Sequence, residues 1–311
     1  MKRIVTIQDI SCIGKCSLTV ALPIISSVGI ETAIIPTTIL STHTAFKGFT
    51  FRDLSSDIPL ISEHWNKEKF KFDAIYTGYL GNEEQIEKIK VFINSFNTKD
   101  NFILIDPAMA DNGKLYVGFD NRFVLKMKEL CSLGDIIVPN LTEACLLLGI
   151  KYKAKFNINE IKDMLYKLSK LSNKVVITDI KIGNKIGVMS YDGNEYFSYF
   201  RTRIDVKYHG SGDVFTSSLV GCLCNDISLS KALRIAVDYT WECIKETYKY
   251  NKKAYGLNFE SKIQYYINRV RKINKKWLVL LKNNKKLEKK VRNFSFLVRF
   301  MVLTCSTLSI F

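Results

Sequence analysis

The sequence predicts an α/β fold: a mostly parallel central sheet, helices on both faces, and an antiparallel hairpin at one edge. Three observations carry this. Short runs rich in Ile, Val, Thr and Tyr alternate with longer segments of helical spacing, as successive βαβ units require. The stretch GNKIGVMSYDGNEYFSYF sets two alternating strands about an Asp192-Gly193-Asn194 turn, which is a hairpin signal. The 311 residues can bury one large core, and α/β chains of this length often form a single domain.

In chain order, RIVTI opens the first strand, and Gln8 and Asp9 follow it too soon for a signal peptide. A helix is expected near 17–28, then strands at TAIIPTTIL and AIYTGYL, with a helix over 82–97. The strand FILIDPA, a helix over 120–132, the strand DIIVPN and helices over 141–148 and 158–171 come next. KVVITD precedes the hairpin, and two helices, 213–224 and 229–249, end the pattern with no later strand expected. Runs that are apolar at every position belong at the centre of a parallel sheet, where both faces are covered.

The composition excludes some partners. The formal charge of +16 comes from 46 Lys and Arg against 30 acids. Residues 261–311 alone hold 13 of those bases with a single acid, Glu288, so the basic character belongs to the tail. No basic face interleaved with aromatics suggests specific nucleic-acid recognition. The last 18 residues, FSFLVRFMVLTCSTLSIF, are interrupted by Arg299 and fall short of a bilayer span, leaving membrane adsorption of the tail as the minor reading. Eight cysteines without C-x-x-C spacing read as buried free thiols of a reducing cytosol.

In open parallel sheets, ligands sit beyond the carboxyl ends of the strands, where helix N-termini present unpaired N–H groups. That rim is expected to gather Asp9, His43, Thr44, Thr77, Tyr79, Asp106, Asn140, Glu143, Thr178 and Asp179. The segment HGSGDVFTSSLVG adds bare amides at Gly210-Ser211-Gly212 and a carboxylate, Asp213, at the start of a helix. Such amides receive an anion, and a carboxylate beside it is useful as a base taking a proton from an attacking hydroxyl. The same residues have plainer readings. Asp213 suits a helix cap, Asn140 with Glu143 has the spacing of a capping box, Asp106 before Pro107 suits a turn, and His43 suits a loop. Neither a Walker G-x-x-x-x-G-K-[ST] nor a G-x-G-x-x-G after a strand is present, so any use of ATP needs another solution.

Six stretches in this order are similar to the pyridoxal (pyridoxine, pyridoxamine) kinases of the ribokinase superfamily: TIQDISCIGKCSLTVALPIISSVGIE, LSTHTAFKGFTFRDL, AIYTGYLGN, DPAMADNGKLY, PNLTEACLLLG and HGSGDVFTSSLVG. The resemblance covers about residues 2–268 and implies a ribokinase-like three-layer sandwich, with 269–311 as an appended basic then apolar tail. It implies transfer of the γ-phosphoryl of ATP, with Mg²⁺, to the 5′-hydroxymethyl group of a B6 vitamer, in a cytoplasmic homodimer with room for a monovalent cation. By position, it implies an anion hole at Gly210, Ser211 and Gly212, and Asp213 as general base. Asp106, Asn140, Glu143 and Thr178 fall at the ATP site, with Asp106 and Glu143 toward the metal, Glu143 through water. Asp9, His43, Thr44 and Tyr79 fall at the vitamin ring, with Phe46 and Phe49 closing from segment 41–53. Asp9 stands where many pyridoxal kinases carry Ser, and the loop after His43 is one residue shorter. A hydroxymethylpyrimidine kinase of the same superfamily, or a noncatalytic binder of pyridoxal phosphate, remain alternatives.

Overall fold

The computed structural model describes residues 1–153, 155–206, 208–250 and 255–273; the tail readings beyond 273 lie outside the described residues. The strands are β1 (Arg3–Ile13), β2 (Glu31–Thr42), β3 (Phe51–Asp53), β4 (Ala74–Thr77), β5 (Phe102–Ile105), β6 (Ala110–Asp111), β7 (Lys114–Leu115), β8 (Ile136–Ile137), β9 (Lys174–Ile182), β10 (Lys185–Tyr191) and β11 (Tyr196–Thr202). The helices are α1 (Leu18–Ser26), α2 (Asp57–Lys67), α3 (Glu83–Phe96), α4 (Asn121–Cys131), α5 (Leu141–Leu148), α6 (Ile158–Leu168), α7 (Ser211–Cys224), α8 (Leu229–Lys249) and α9 (Ile263–Ile273). Nine strands form one sheet in the order β11-β10-β9-β8-β5-β4-β1-β2-β3. The six from β9 to β2 run parallel, the hairpin β10-β11 is antiparallel at one edge, and β3 pairs antiparallel with β2 at the other.

Alternation along the strands divides the core. Val5 and Ile7 of β1, Ile75 of β4, Ile103 and Ile105 of β5, and Val175 and Ile177 of β9 pack with residues of α2 to α6. Their neighbours in sequence, such as Ile4, Tyr76, Leu104 and Val176, are equally buried and point to the opposite face, where α1, α7 and α8 pack together. Both faces are thus covered, and the buried polar residues of the parallel strands, among them Gln8, Asp9, Ser11 and Thr77, stand out against an otherwise apolar sheet.

Two departures from the expected elements bear on the site. The segment after residue 54, left unassigned by periodicity, forms α2; only Ile58 and Ser62 of it are buried, and Pro59 sits in its first turn, where a missing N–H is harmless. The expected substrate segment 41–53 is in part a strand. β3 is three exposed residues, Phe51, Arg52 and Asp53, a short charged edge that discourages further pairing. The expectation of buried free thiols holds for Cys131, Cys145, Cys222, Cys224 and Cys243, whereas Cys12 is exposed and Cys16 half-buried. No helix among the described residues is long and apolar enough to cross a membrane.

Candidate active site

Asp9 does not end its strand, as the sequence suggested. β1 continues to Ile13, and the register against β2 shifts beside Asp9: Gln8 pairs with Pro36 but Ile10 with Ile39. The extra residue lies in β2, just after a proline that has no N–H to give, and such bulges re-aim side chains. Asp9 is only 4% exposed. Ser11 donates its hydroxyl to Asp9 Oδ2 at 3.3 Å, and Cys16 Sγ lies 3.3 Å from that same hydroxyl oxygen.

The α7 N-terminus is built from backbone. Gly210 is the N-cap residue in the left-handed region, φ 75°, and no side chain caps the helix. An added Cβ at Gly210 would fall 2.0 Å from the Lys15 carbonyl oxygen, so only glycine permits this approach of the two loops. A Cβ at Gly212 would meet nothing within 4 Å, so this turn borders open space on that side. Ser211, Gly212 and the half-buried Asp213 make up this first turn.

A second group forms beyond β5 and β8. Thr216 of α7 donates to Asp106 Oδ2 at 2.7 Å. Asn140 caps α5 through its side chain and Glu143 answers to the Asn140 amide at 2.9 Å, so the capping box read from the sequence is present. Glu143 does more than cap. Its Oε1 also accepts the amides of Met109, at 3.0 Å, and Ala110, at 3.3 Å, tying β6 and the segment after Asp106 to α5. Thr178 lies within β9, bridged to Asn140, rather than at the strand's end.

The remaining expected residues lie just after β2 and β4. His43 is buried, its ring 4.8 Å from Phe46 and 4.9 Å from His209, the latter pair stacked. Tyr79 stacks on Phe119 at 5.7 Å and is half-buried. Thr44 is exposed and Phe49 half-buried, with no close ring partner for Phe49 among the described residues. A separate cleft of about 590 Å³ lies along the end of β9 and the loop before α6, lined in part by Lys155, Asn157, Lys181 and Arg203. It is not over the carboxylates.

Burial and mutual repulsion shift these acids in one direction. Burial, with Asp213 nearby, pushes the Asp9 carboxyl up to about 7, against the pull of Ser17 and Ser11. Burial raises Asp213, opposed by the Ser17 amide. Asp106 is raised by burial and by Glu143, and Glu143 is raised by burial to about 7 although three backbone amides favour its charge. Burial, then Asp9, lifts the Tyr79 phenol to about 12. Carboxylates that raise one another by charge are a poor receptor for a bare anion and a better one for an anion that arrives with a divalent cation. No group of three or more His, Cys, Asp or Glu among the described residues would hold a metal alone. The pair Asp106 and Glu143 suits a hard, largely hydrated ion completed by water and phosphate oxygens.

Asp9 supplies a pH test. Its folded value lies above the ordinary 3.8, so its contribution to stability is present below about pH 4 and is lost as pH rises through 7. Asp9→Asn is expected to stabilise the protein by roughly 2–4 kcal/mol at pH 8 and to give no gain at pH 4. Thermal unfolding across that range checks it; equal shifts at both pH values would contradict the buried charge.

Sequence patterning did not single out Ser11, Ser17, Thr216, Ser217 or His209. Small hydroxyls carry no periodic signal, though "TSS" after Gly-Ser-Gly-Asp is an unusually polar run for a helix buried on nearly all sides. Tyr76 is likewise hidden in an apolar strand, yet it lies under the site near Ser217, Gln8, Asp106 and Asp213.

The profile described as phosphomethylpyrimidine kinase matches residues 55–258. A crystal structure from Bacteroides thetaiotaomicron, named provisionally as a phosphomethylpyrimidine kinase and containing pyridoxal, is 38% identical, with 85% of this chain and 95% of that one covered and a TM-score of 0.82. The pyridoxal kinase of Lactobacillus plantarum is 27% identical, with 87% and 98% covered and a TM-score of 0.82. The hydroxymethylpyrimidine/phosphomethylpyrimidine kinase of Aquifex aeolicus is 27% identical over 187 residues, 60% of this chain and 72% of the other.

Proposed function

The chain belongs to the phosphomethylpyrimidine kinase family, in the ribokinase superfamily, and from that premise we propose that it transfers the γ-phosphoryl group of ATP to the 5′-hydroxymethyl group of a B6 vitamer. The single observation that carries this reading is the shared corner of Asp213 and Asp9. The first stands in the uncapped first turn of α7 and the second in the ring site, and each raises or feels the other's charge. The likeness to a Bacteroides protein that holds pyridoxal adds to it.

In this reading, Asp213 takes the proton of the hydroxymethyl group as its oxygen attacks phosphorus. Its raised carboxyl is a stronger base than a surface aspartate. The amides of Gly210, Ser211 and Gly212, with the positive end of α7, receive the charge on the transferring oxygens. Asn140 and Thr178 line the donor side, and the cleft along β9 gives the nucleoside end of ATP room. Asp106 and Glu143 would hold Mg²⁺ through water; the ion offsets phosphate charge when bound. Asp9, His43 and Tyr79 surround the vitamin ring, and Phe46 packs on His43 beside it.

One observation favours a second reading: a buried early aspartate is also the pattern of hydroxymethylpyrimidine kinases, whose substrate ring offers an amino donor to Asp9 and a ring nitrogen that accepts from its protonated carboxyl. Purified protein with Mg²⁺ and ATP, offered pyridoxal, pyridoxine, pyridoxamine and hydroxymethylpyrimidine, is expected to release ADP fastest with a B6 vitamer. Preference for the pyrimidine alcohol would transfer the function to the second reading. No turnover on any alcohol, with pyridoxal phosphate tightly bound, would make the protein a noncatalytic binder.

A further inference from the structure

The short connection between β1 and α1 meets two other segments at a single atom. An added Cβ at Gly210 would fall 2.0 Å from the Lys15 carbonyl oxygen, and one at Gly256 would fall 2.8 Å from the same oxygen. Both glycines have positive φ, 75° and 105°, and bring bare backbone against it. Gly210 opens the α7 turn, whereas Gly256 lies after α8 in the chain.

The segment 255–260 grips Lys15 at both ends. The Lys15 amide donates to the Tyr255 carbonyl at 3.1 Å, and Lys15 and Gly256 form a parallel bridge. The Lys15 ammonium lies 2.7 Å from Glu260 Oε2, 5.9 Å from the centre of the Tyr255 ring and 5.7 Å from that of Phe259. The gripping segment is itself tied to α8: the Tyr239 hydroxyl donates to the Phe259 carbonyl at 3.1 Å, and the Asn258 amide donates to Thr247 Oγ1 at 2.8 Å. An ion pair whose side chains are 21% and 54% exposed adds little to stability by itself. What sets this one apart is that the backbone of its lysine is the surface on which the α7 turn rests.

We propose that Lys15 is a positioning residue: clasped by Glu260, Tyr255 and Phe259, it fixes where the first turn of α7, with its amides and Asp213, stands beside the end of β1. The proposal rests on the reading above for the reaction and not for the geometry. The ammonium is committed to Glu260, so the effect of Lys15 passes through its carbonyl to Gly210. A small displacement of amides that receive developing charge is felt in the transition state more than in substrate binding.

Lys15→Met keeps the stem and removes the charge, Glu260→Gln removes the charge of the partner, and Lys15→Arg keeps both the ion pair and the ring contacts. In full-length protein with Mg²⁺, ATP and the vitamer the wild type accepts, kcat is expected to fall about 5- to 20-fold in Lys15→Met and Glu260→Gln, with both KM values within about twofold. Lys15→Arg should stay near the wild type. The double variant Lys15→Met/Glu260→Gln should lose no more than Lys15→Met alone, because each change breaks the same clasp. Without substrate, hydrogen exchange read by mass spectrometry is expected to quicken over 210–216, where the Gly210 carbonyl holds the Val214 amide at 3.0 Å. Wild-type kcat in Lys15→Met, losses that add in the double variant, or unchanged exchange over 210–216 each overturn the proposal. So does a raised KM for ATP with unchanged kcat, which would make Lys15 a nucleotide ligand. A merely structural role would quicken exchange over 255–260 alone and leave kcat as it is. If the wild type phosphorylates no B6 vitamer, the functional reading fails on that result, while the exchange still decides the role of Lys15.

Discussion

Asp213→Asn is expected to slow turnover by a factor of about 10² or more while the fold and the KM for ATP stay as they are. The amide has nearly the shape of the carboxylate and can still face the Ser17 amide through its oxygen, so the α7 turn keeps its geometry. What it cannot do is accept a proton. Loss confined to the transition state lowers kcat and kcat/KM together, whereas a residue that only binds ATP would raise KM. A further signature lies in pH. A base must be ionised, and burial raises Asp213, so wild-type kcat/KM should fall on the acid side of an apparent value higher than that of an ordinary aspartate and level off above it. That limb should disappear in Asp213→Asn. Steady-state kinetics between pH 5 and 9 read both effects, and wild-type turnover in the variant would remove Asp213 from the role of base.

Much of the scaffold was legible because its causes are local. The helices α3, α4, α5 and α6 begin where Asn82, Asp120, Asn140 and Asn157 accept amides of the first turn, and those caps are visible as residue types. The parallel strands announced themselves by short runs rich in Ile, Val, Thr and Tyr, and the hairpin by its Asp-Gly-Asn turn. α2 stayed hidden because it buries little and opens with a proline in its first turn, which periodicity alone reads as a break. The site was legible in its residue types and obscure in its joints. Asp9 reads as a strand end in sequence, since a bulge shifts pairing without altering which residues appear. The bond from Thr216 to Asp106 and the stack of His209 on His43 span more than 100 residues each, and no spacing rule reaches that far. The capping-box reading of Asn140 and Glu143 is present in the structure, and the carboxylate that holds this helix start is also the one whose charge raises Asp106.

That double duty makes Glu143→Ala the most destabilising change expected at the site. Glu143 accepts three amides, those of Met109, Ala110 and Asn140, in a buried place where water does not readily replace it. Deleting the acceptor leaves three donors without partners and opens the α5 capping box. At about 1–3 kcal/mol for each stranded donor, the loss is on the order of 3–6 kcal/mol, a large share of the roughly 5–15 kcal/mol that holds a typical domain together. Glu143→Gln should lose less, about 1–3 kcal/mol, because its carbonyl oxygen can serve the Met109 and Ala110 amides while its NH₂ group confronts the Asn140 amide. The two variants also separate by pH. The carboxyl is raised to about 7 in the folded protein against an ordinary 4.5, so the wild type has this contribution below about pH 4.5 and loses it as pH rises through 7. The deficit of Glu143→Gln should accordingly be smaller at pH 8 than at pH 5. Urea unfolding at the two pH values measures this directly. A Glu143→Ala protein as stable as the wild type would show that the three amides find other partners, and Glu143 would then have no structural claim on the site at all.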